Sequence, residues 1–377
     1  MRGPRTLPGA ATALLAALVA ACGGGGEPGP AAGPPEPAAL AADRPHMAPG
    51  SVSLTERLRL SGDRLAEPLD VAVDGSGSIY VLDAGDSPGV LRFDSTGAFA
   101  LRFGARDTVR ERIVAATELD LAQWNTVLLV DRGDNAVKTF LTGGLIGSVL
   151  PLREGVALDV HALPEFGEFY LHKWVPEQRR VSVLHMRAPG DSLGAPYTVH
   201  IPSEITLRQE ARAIHFHTAA DARGRLYVAF LDGYPVRVLS PQGTTLASIG
   251  IERAAVPRPA AELERESEEN LARLRRELPD VDEELLVEAA RPDTVFPIIE
   301  ELAIDPQGRL WVRTNRPDAE GVTPYDVFAP DGGYLARVDV PGDVSRTAFS
   351  PSGGLWVVAR GEAGAEVVGY RVDFPGR

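Results

Sequence analysis

Along most of the chain, apolar residues come in short runs bounded by Gly, Pro, Asp and Ser, the pattern of strands joined by tight turns. One phrase recurs. Asp74-Gly75-Ser76-Gly77-Ser78-Ile79-Tyr80-Val81 is followed by Asp221-Ala222-Arg223-Gly224-Arg225-Leu226-Tyr227-Val228, by Asp305-Pro306-Gln307-Gly308-Arg309-Leu310-Trp311-Val312, and by Ser350-Pro351-Ser352-Gly353-Gly354-Leu355-Trp356-Val357. Asp or Ser can bond its own backbone two residues on, and Gly takes a positive φ, so the phrase opens with a turn. The apolar, aromatic and β-branched residues after it fit a packed strand. Two worn copies keep the strand: Gly167-Glu168-Phe169-Tyr170-Leu171, and Asn125-Thr126-Val127-Leu128-Leu129-Val130-Asp131, which has lost the Gly. Aligned on the aromatic or its replacement, the anchors are Tyr80, Leu129, Tyr170, Tyr227, Trp311 and Trp356, giving six units.

A strand-rich unit repeated at this spacing predicts an all-β repeat fold, a six-bladed β-propeller. The first unit, 68–104, shows four strand segments at 69–73, 78–82, 89–93 and 98–103. The last, 344–372, is one strand short. Residues 52–60 alternate apolar and polar as a half-exposed strand does, and they are expected to complete the last blade and close the ring. The long step from Tyr227 to Trp311 holds a helical insertion, 253–294, between blades four and five. Leu263, Leu271, Leu274 and Leu278 form a stripe at helical spacing, Pro279-Asp280 breaks it, and 281–290 makes a second helix with Leu285 and Leu286. The insertion reads either as a hairpin decorating the propeller side or as a cap over one mouth of the channel.

The first fifty residues belong to neither pattern. Met1-Arg2-Gly3-Pro4-Arg5 is basic and precedes an apolar run, Ala10 to Ala21, too short to span a bilayer and ending in small residues. That is an export signal. Val19-Ala20-Ala21-Cys22 resembles the lipobox of bacterial lipoproteins, which implies cleavage after residue 21 and a lipid on Cys22; an ordinary signal peptide with a stray cysteine is the plainer alternative. Residues 22–50, rich in Gly, Pro and Ala, then form a tether, and 51–377 the folded body. The expected place is the bacterial cell envelope, lipid-anchored, on the periplasmic or outer-membrane-facing side. Cys22 is the single cysteine, so no internal disulfide can form and stability rests on packing.

Charge narrows the partners. The formal net charge is −14, and loss of Arg2 and Arg5 with the signal makes it more negative by two. Nucleic acid and anionic headgroups both need a basic surface, so neither is expected as a partner. Contact with the membrane is expected through the lipid alone.

Val130-Asp131-Arg132-Gly133-Asp134-Asn135-Ala136-Val137-Lys138-Thr139-Phe140, together with the unit start Pro68-Leu69-Asp70-Val71-Ala72-Val73-Asp74, resembles the NHL repeat and its six-bladed relatives. The resemblance covers most of 65–375. It implies the architecture and not a function, because such blades serve enzymes and binding scaffolds alike.

Candidate chemistry sits at the starts of the inner strands. Counting back from each turn gives Asp70, Asp120, Asp159, His217, Glu301 and Arg346, a predicted polar ring at one mouth of the channel, with Ala72, Ala122, Ala219, Ala303 and Ala348 two residues further on. Convergent polar groups at a concave mouth are where ligands are held, although water-filled channels tolerate polar residues without any ligand. Acidic oxygens suit Ca²⁺. Six-bladed lactonase-type enzymes hold such a cation with acidic and amide side chains; this ring has no Asn, and Arg346 would repel a cation. His215 and His217 share one face of a strand, a spacing that can chelate Zn²⁺ but supplies two ligands where a site needs more. Asp83 and Asp131 end matching strands and are expected to cap the adjoining turn. The expected function is a binding or scaffold module for a protein or small-molecule ligand. The alternative is a metal-dependent hydrolase or lyase, lactonase-like, working at the polar ring.

Overall fold

A computed structural model describes residues 52–375 apart from 63, 106–111, 123–124, 164, 166, 189, 201–215, 232, 278, 280, 316–320 and 362–363. The export signal, Cys22, the tether, His215 and Leu278 therefore fall outside the described residues.

The recurring phrase has one physical basis at its three copies that open with Asp. The Asp305 carboxylate accepts the backbone N–H groups of Gln307 and Arg309, at 3.0 and 2.9 Å, and the indole N–H of Trp311 at 3.1 Å. Asp74 does the same for Ser76, Ser78 and the Tyr80 hydroxyl. Asp221 does so for Arg223, Arg225 and, at 3.5 Å, the Tyr227 hydroxyl. The aromatic position thus favours a ring with a polar tip that reaches back to the turn it follows. Gly77, Gly224, Gly308 and Gly353 take φ between 72° and 92°, as the turn requires. The worn copy solves the same problem with Asn125 at φ 56°, and without a turn carboxylate the aromatic's place is taken by Leu128, opposite Asp120 as Tyr80 is opposite Ala72, and not by Leu129 as the sequence alignment has it.

Each phrase joins the first two strands of a four-stranded antiparallel sheet, and there are six such sheets. Numbered from Pro68, five are built in chain order from the centre outwards. The sixth runs Asp343–Phe349, Leu355–Gly361, Gly364–Asp373, and then the chain's first strand, Ser53–Leu60, at the rim. Ser53 pairs with Asp373 and Leu60 with Val367, so the expected closure by residues 52–60 is what holds the ring shut. All six are single antiparallel ladders, and the molecule is a six-bladed β-propeller.

Adjacent sheets bury their faces against each other. Tyr80, Leu82, Val90 and Phe103 of sheet one meet Leu119, Val127, Leu129 and Phe140 of sheet two. Tyr170, Trp174 and Val181 of sheet three meet Phe216, Leu226 and Val228 of sheet four. Each large side chain buried in this way stabilises by about 2 kcal/mol. Asp83 and Asp131 lock the chain entering their blades. Asp83 accepts the N–H groups of Ala66, Glu67 and Gly85, and Asp131 those of Val114, Ala115 and Gly133, with the buried Lys138 ammonium at 2.7 Å. Capping is their role, as expected.

Two helices, Ala260–Glu277 (α1) and Glu283–Ala290 (α2), follow the sheet Phe216–Ile249 and precede the sheet Ile299–Pro341. Numbered from Pro68 they separate sheets four and five, as expected; counted from the sheet that holds Ser53–Leu60 as the first blade, the same place lies between blades five and six. They stand on a short stem in which Arg258 and Phe296 donate their backbone N–H to the carbonyls of Thr294 and Val256. Their buried apolar contacts, Leu274, Leu286 and Ala290 with Leu271, Val281 and Ala289, come from the hairpin itself.

Candidate functional site

The innermost strand of every sheet faces the axis and encloses a cavity of about 750 Å³. Strand pairing fixes which residues share a level. Asp70 lies opposite Leu82, Asp159 opposite His172, His217 opposite Ala229, Glu301 opposite Arg313 and Arg346 opposite Val358. In sheet two the residue at this level is Glu118, opposite Val130. Asp120 lies two residues deeper, level with Ala72, so its predicted place in the ring is corrected. The cause is the worn turn: Ala122 stands where Asp74 opens the turn of sheet one, so no acid marks the place to count from. Bulges precede the ring position in five sheets, at Pro68/Asp70, Ala116/Glu118, Ala157/Asp159, Ile299/Glu301 and Val344/Arg346. Bulges re-aim side chains at strand ends, and in these five blades they turn one polar residue toward the channel.

The upper ring is therefore Asp70, Glu118, Asp159, His217, Glu301 and Arg346, and all six line the cavity. The second level is Ala72, Asp120, His161, Ala219, Ala303 and Ala348: small around most of the ring, polar where sheets two and three meet. Glu118 and His161 escaped the sequence reading. A signal for Glu118 existed, since it precedes Leu128 by the spacing that separates Asp70 from Tyr80 and Glu301 from Trp311.

Much of this polarity holds neighbouring blades together. Asp70 accepts the N–H of Val71 at 2.8 Å and, across the blade boundary, that of Leu119 at 2.7 Å. Asp120 bridges Leu121 and Ala162 in the same way, at 2.7 and 2.8 Å. Glu301 accepts the backbone N–H of Thr347 at 2.9 Å and its hydroxyl at 2.6 Å. Asp159 takes the N–H of Val160 at 2.7 Å and stands 3.3 Å from His161 Nε2. That same nitrogen lies 2.7 Å from Thr218 Oγ1. A relay needs the carboxylate and the hydroxyl on opposite imidazole nitrogens, so Asp159, His161 and Thr218 form a hydrogen-bonded cluster and not a nucleophilic triad.

Arg346 is the cation at the upper level. It donates to Glu118 Oε1 at 2.6 Å, reaching past sheet one from sheet six to sheet two. Burial lifts the Asp70 carboxyl to about 7, against the pull of Arg346 and of its two backbone donors. Burial also holds Glu118 well above the usual carboxylate range despite Arg346, with Asp159 and Asp70 adding to the rise, and burial raises Asp120. For Asp159 burial is outweighed by His161, whose proximity draws it down to about 2. His161 rises in turn, since the carboxylates of Asp159, Asp120 and Asp70 outweigh its burial.

The acids that Ca²⁺ would need are thus bonded to backbone donors or to Arg346. Among the described residues, no three His, Cys, Asp or Glu side chains are placed to share a metal ion. His217 lines the channel, but His215 is outside the described residues. Gly85-Asp86-Ser87-Pro88-Gly89 spells the nucleophile elbow of hydrolases. It connects the antiparallel strands Ile79–Asp83 and Gly89–Phe93, whereas the elbow needs a strand-to-helix turn.

Because the strands alternate in direction, connections fall on two faces. The connections that exceed a tight turn, from Phe103 to Ala116, His200 to Phe216, Ile249 to Ile299 and Thr314 to Val322, join strand ends on the face where the inner strands begin. That is the face of the upper ring. The opposite face carries the tight turns of the recurring phrase. No residue of α1 or α2 lines the cavity.

No family model matches the sequence, and no curated protein does. Solved structures share the fold. A member of the DUF4221 family from Bacteroides vulgatus aligns over 86% of this chain and 99% of its own, at 10% identity and a TM-score of 0.54. A candidate exported protein from Bacteroides fragilis aligns over 89% of this chain and 100% of its own, at 9% identity and a TM-score of 0.55. At such identities the likeness establishes the six-bladed propeller and nothing finer.

Proposed function

We propose that the chain is an exported, lipid-anchored binding protein whose propeller holds a small polar ligand or a segment of another protein at the ringed mouth of its channel, without chemistry on it. One observation carries the reading: a cavity of about 750 Å³ runs along the axis from a ring of convergent polar side chains to the tight turns at Asp74, Asp221 and Asp305, the concave, pre-formed kind of space in which ligands are held. Arg346 spends one N–H on Glu118, and the smooth Ala72, Ala219, Ala303 and Ala348 wall below leaves room for a guest. The basic start, apolar run and Cys22 support export and anchoring. The metal-dependent hydrolase alternative is disfavoured by the hydrogen-bonded state of the acids.

The test is a thermal-shift screen of amines, short peptides and sugars against the protein and against Ala303→Phe, which fills the channel. A ligand that raises the Tm of the first and not of the second supports the reading. Hits that ignore Ala303→Phe, or no hit at all, count against it.

A further inference from the structure

Four carboxylates, those of Asp70, Glu118, Asp159 and Glu301, converge on one level of a partly enclosed channel. Such a set has three outcomes: it holds protons, it recruits a cation, or the chain supplies one. Among the described residues that line the cavity, Arg346 is the one Arg or Lys. Its side chain is long enough to leave sheet six, pass the inner strand of sheet one and reach Glu118 on sheet two at 2.6 Å. Glu118, Asp70, Glu301 and Asp159 all act on its charge. Its side chain is one-third exposed, at 34%, so the guanidinium stands in the channel and is not packed between blades.

We propose that Arg346 is the built-in counter-ion of the channel: its guanidinium occupies the position that the surrounding carboxylates would otherwise offer to a metal or organic cation. Several facts converge on this. Arg346 sits at the level where four other sheets place an acid, and the bulge at Val344/Arg346 aims it inward as the bulges in sheets one, two, three and five aim their acids. A planar guanidinium also matches carboxylates at more than one edge, as a point-charged ammonium does not. The consequence is that the intact ring rejects cations, and that removing Arg346 opens a site of defined chemistry: small, anionic, and suited to a guanidinium ion. This goes beyond the proposed binding function and does not depend on which ligand, if any, the mouth holds.

The experiment is differential scanning fluorimetry of the full chain and of Arg346→Ala at pH 8, with and without millimolar methylguanidinium, methylammonium or Ca²⁺. The expected result is a Tm loss of about 5 °C in Arg346→Ala, half or more of it restored by methylguanidinium, with the unmodified protein indifferent to all three. Arg346→Ala at the parent Tm, with no response to any cation, overturns the proposal, as does a gain of Tm by the unmodified protein in Ca²⁺. Should Arg346→Ala fail to fold, Arg346→Lys and Arg346→Gln decide the matter. Lys keeps a charge in the channel and is expected within about 2 °C of the parent, and Gln well below it. Equal losses would mean that the side chain acts by packing alone.

Discussion

Asp305 shows how much of this molecule hangs on single side chains. Its carboxylate is 3% exposed and serves the backbone of Gln307 and Arg309, the Trp311 indole and the Arg309 guanidinium. Replacement by Ala would strand those donors in a buried place, where each unmet group costs about 1–3 kcal/mol. Asp305→Ala is therefore expected to lose on the order of 3 kcal/mol in urea unfolding, and Asp305→Asn less, since Asn keeps one acceptor. Asp94 accepts the N–H groups of Thr96 and Ala98 in the same pattern, but at an exposed hairpin. Water can replace it there, so Asp94→Ala should fall far short of Asp305→Ala. Equal losses at the two sites would mean that the turn geometry, and not burial, sets the cost. This residue-scale logic was legible in sequence because it is local: acid, glycine and polar-tipped aromatic sit within one phrase.

Between elements, legibility depended on whether local alternation survived. It did for the first strand, where Val52 to Leu60 alternate and the strand was found in place at the rim of the last sheet, despite a register shift between Glu56 and Leu58. It failed at the entry to sheet two. The phrase is worn there: Ala122 stands where Asp74, Asp221 and Asp305 open their turns, so the count had no acid to start from and reached Asp120, while Glu118 took the ring position. The pairing partner lies in another strand, and no periodicity within one strand reveals it. The closing strand carries a prediction at this scale. Leu60, 6% exposed, packs with Val71, Val73, Leu91 and Phe93 of sheet one and with Val358 and Val367 of sheet six. Leu60→Ala should cost about 2–5 kcal/mol. Removing 52–60 altogether should also expose the edge of Gly364–Asp373 and drive association through it, visible as early elution in size-exclusion chromatography. A monomer of unchanged Tm after that removal would show that the ring does not need its closing strand.

For the whole molecule, the channel makes stability a function of pH, and the sign follows from which form each group prefers in the fold. Asp70 sits at about 7 in the folded protein, against about 3.9 in an unfolded chain. Its contribution is therefore complete below the unfolded value and is lost as pH rises through about 7. Glu118, Asp120 and His161 are raised as well and act in the same direction. Asp159, held at about 2 by His161, acts oppositely: its contribution is present above about 3.9 and lost as pH falls through the folded value. The two trends leave a maximum on the acidic side, at about pH 4. Melting curves should then show a Tm several degrees higher at pH 5 than at pH 8, with a decline below pH 4. Asp70→Asn should flatten part of the slope between pH 5 and 8, whatever it does to the absolute Tm, because the titrating group is gone while one acceptor remains. A Tm that is level across that interval, or higher at pH 8, would mean that water reaches the ring freely enough to leave these carboxyls near their ordinary values. The channel mouth would then be an open, solvated funnel, and the case for Arg346 as its counter-ion would weaken with it.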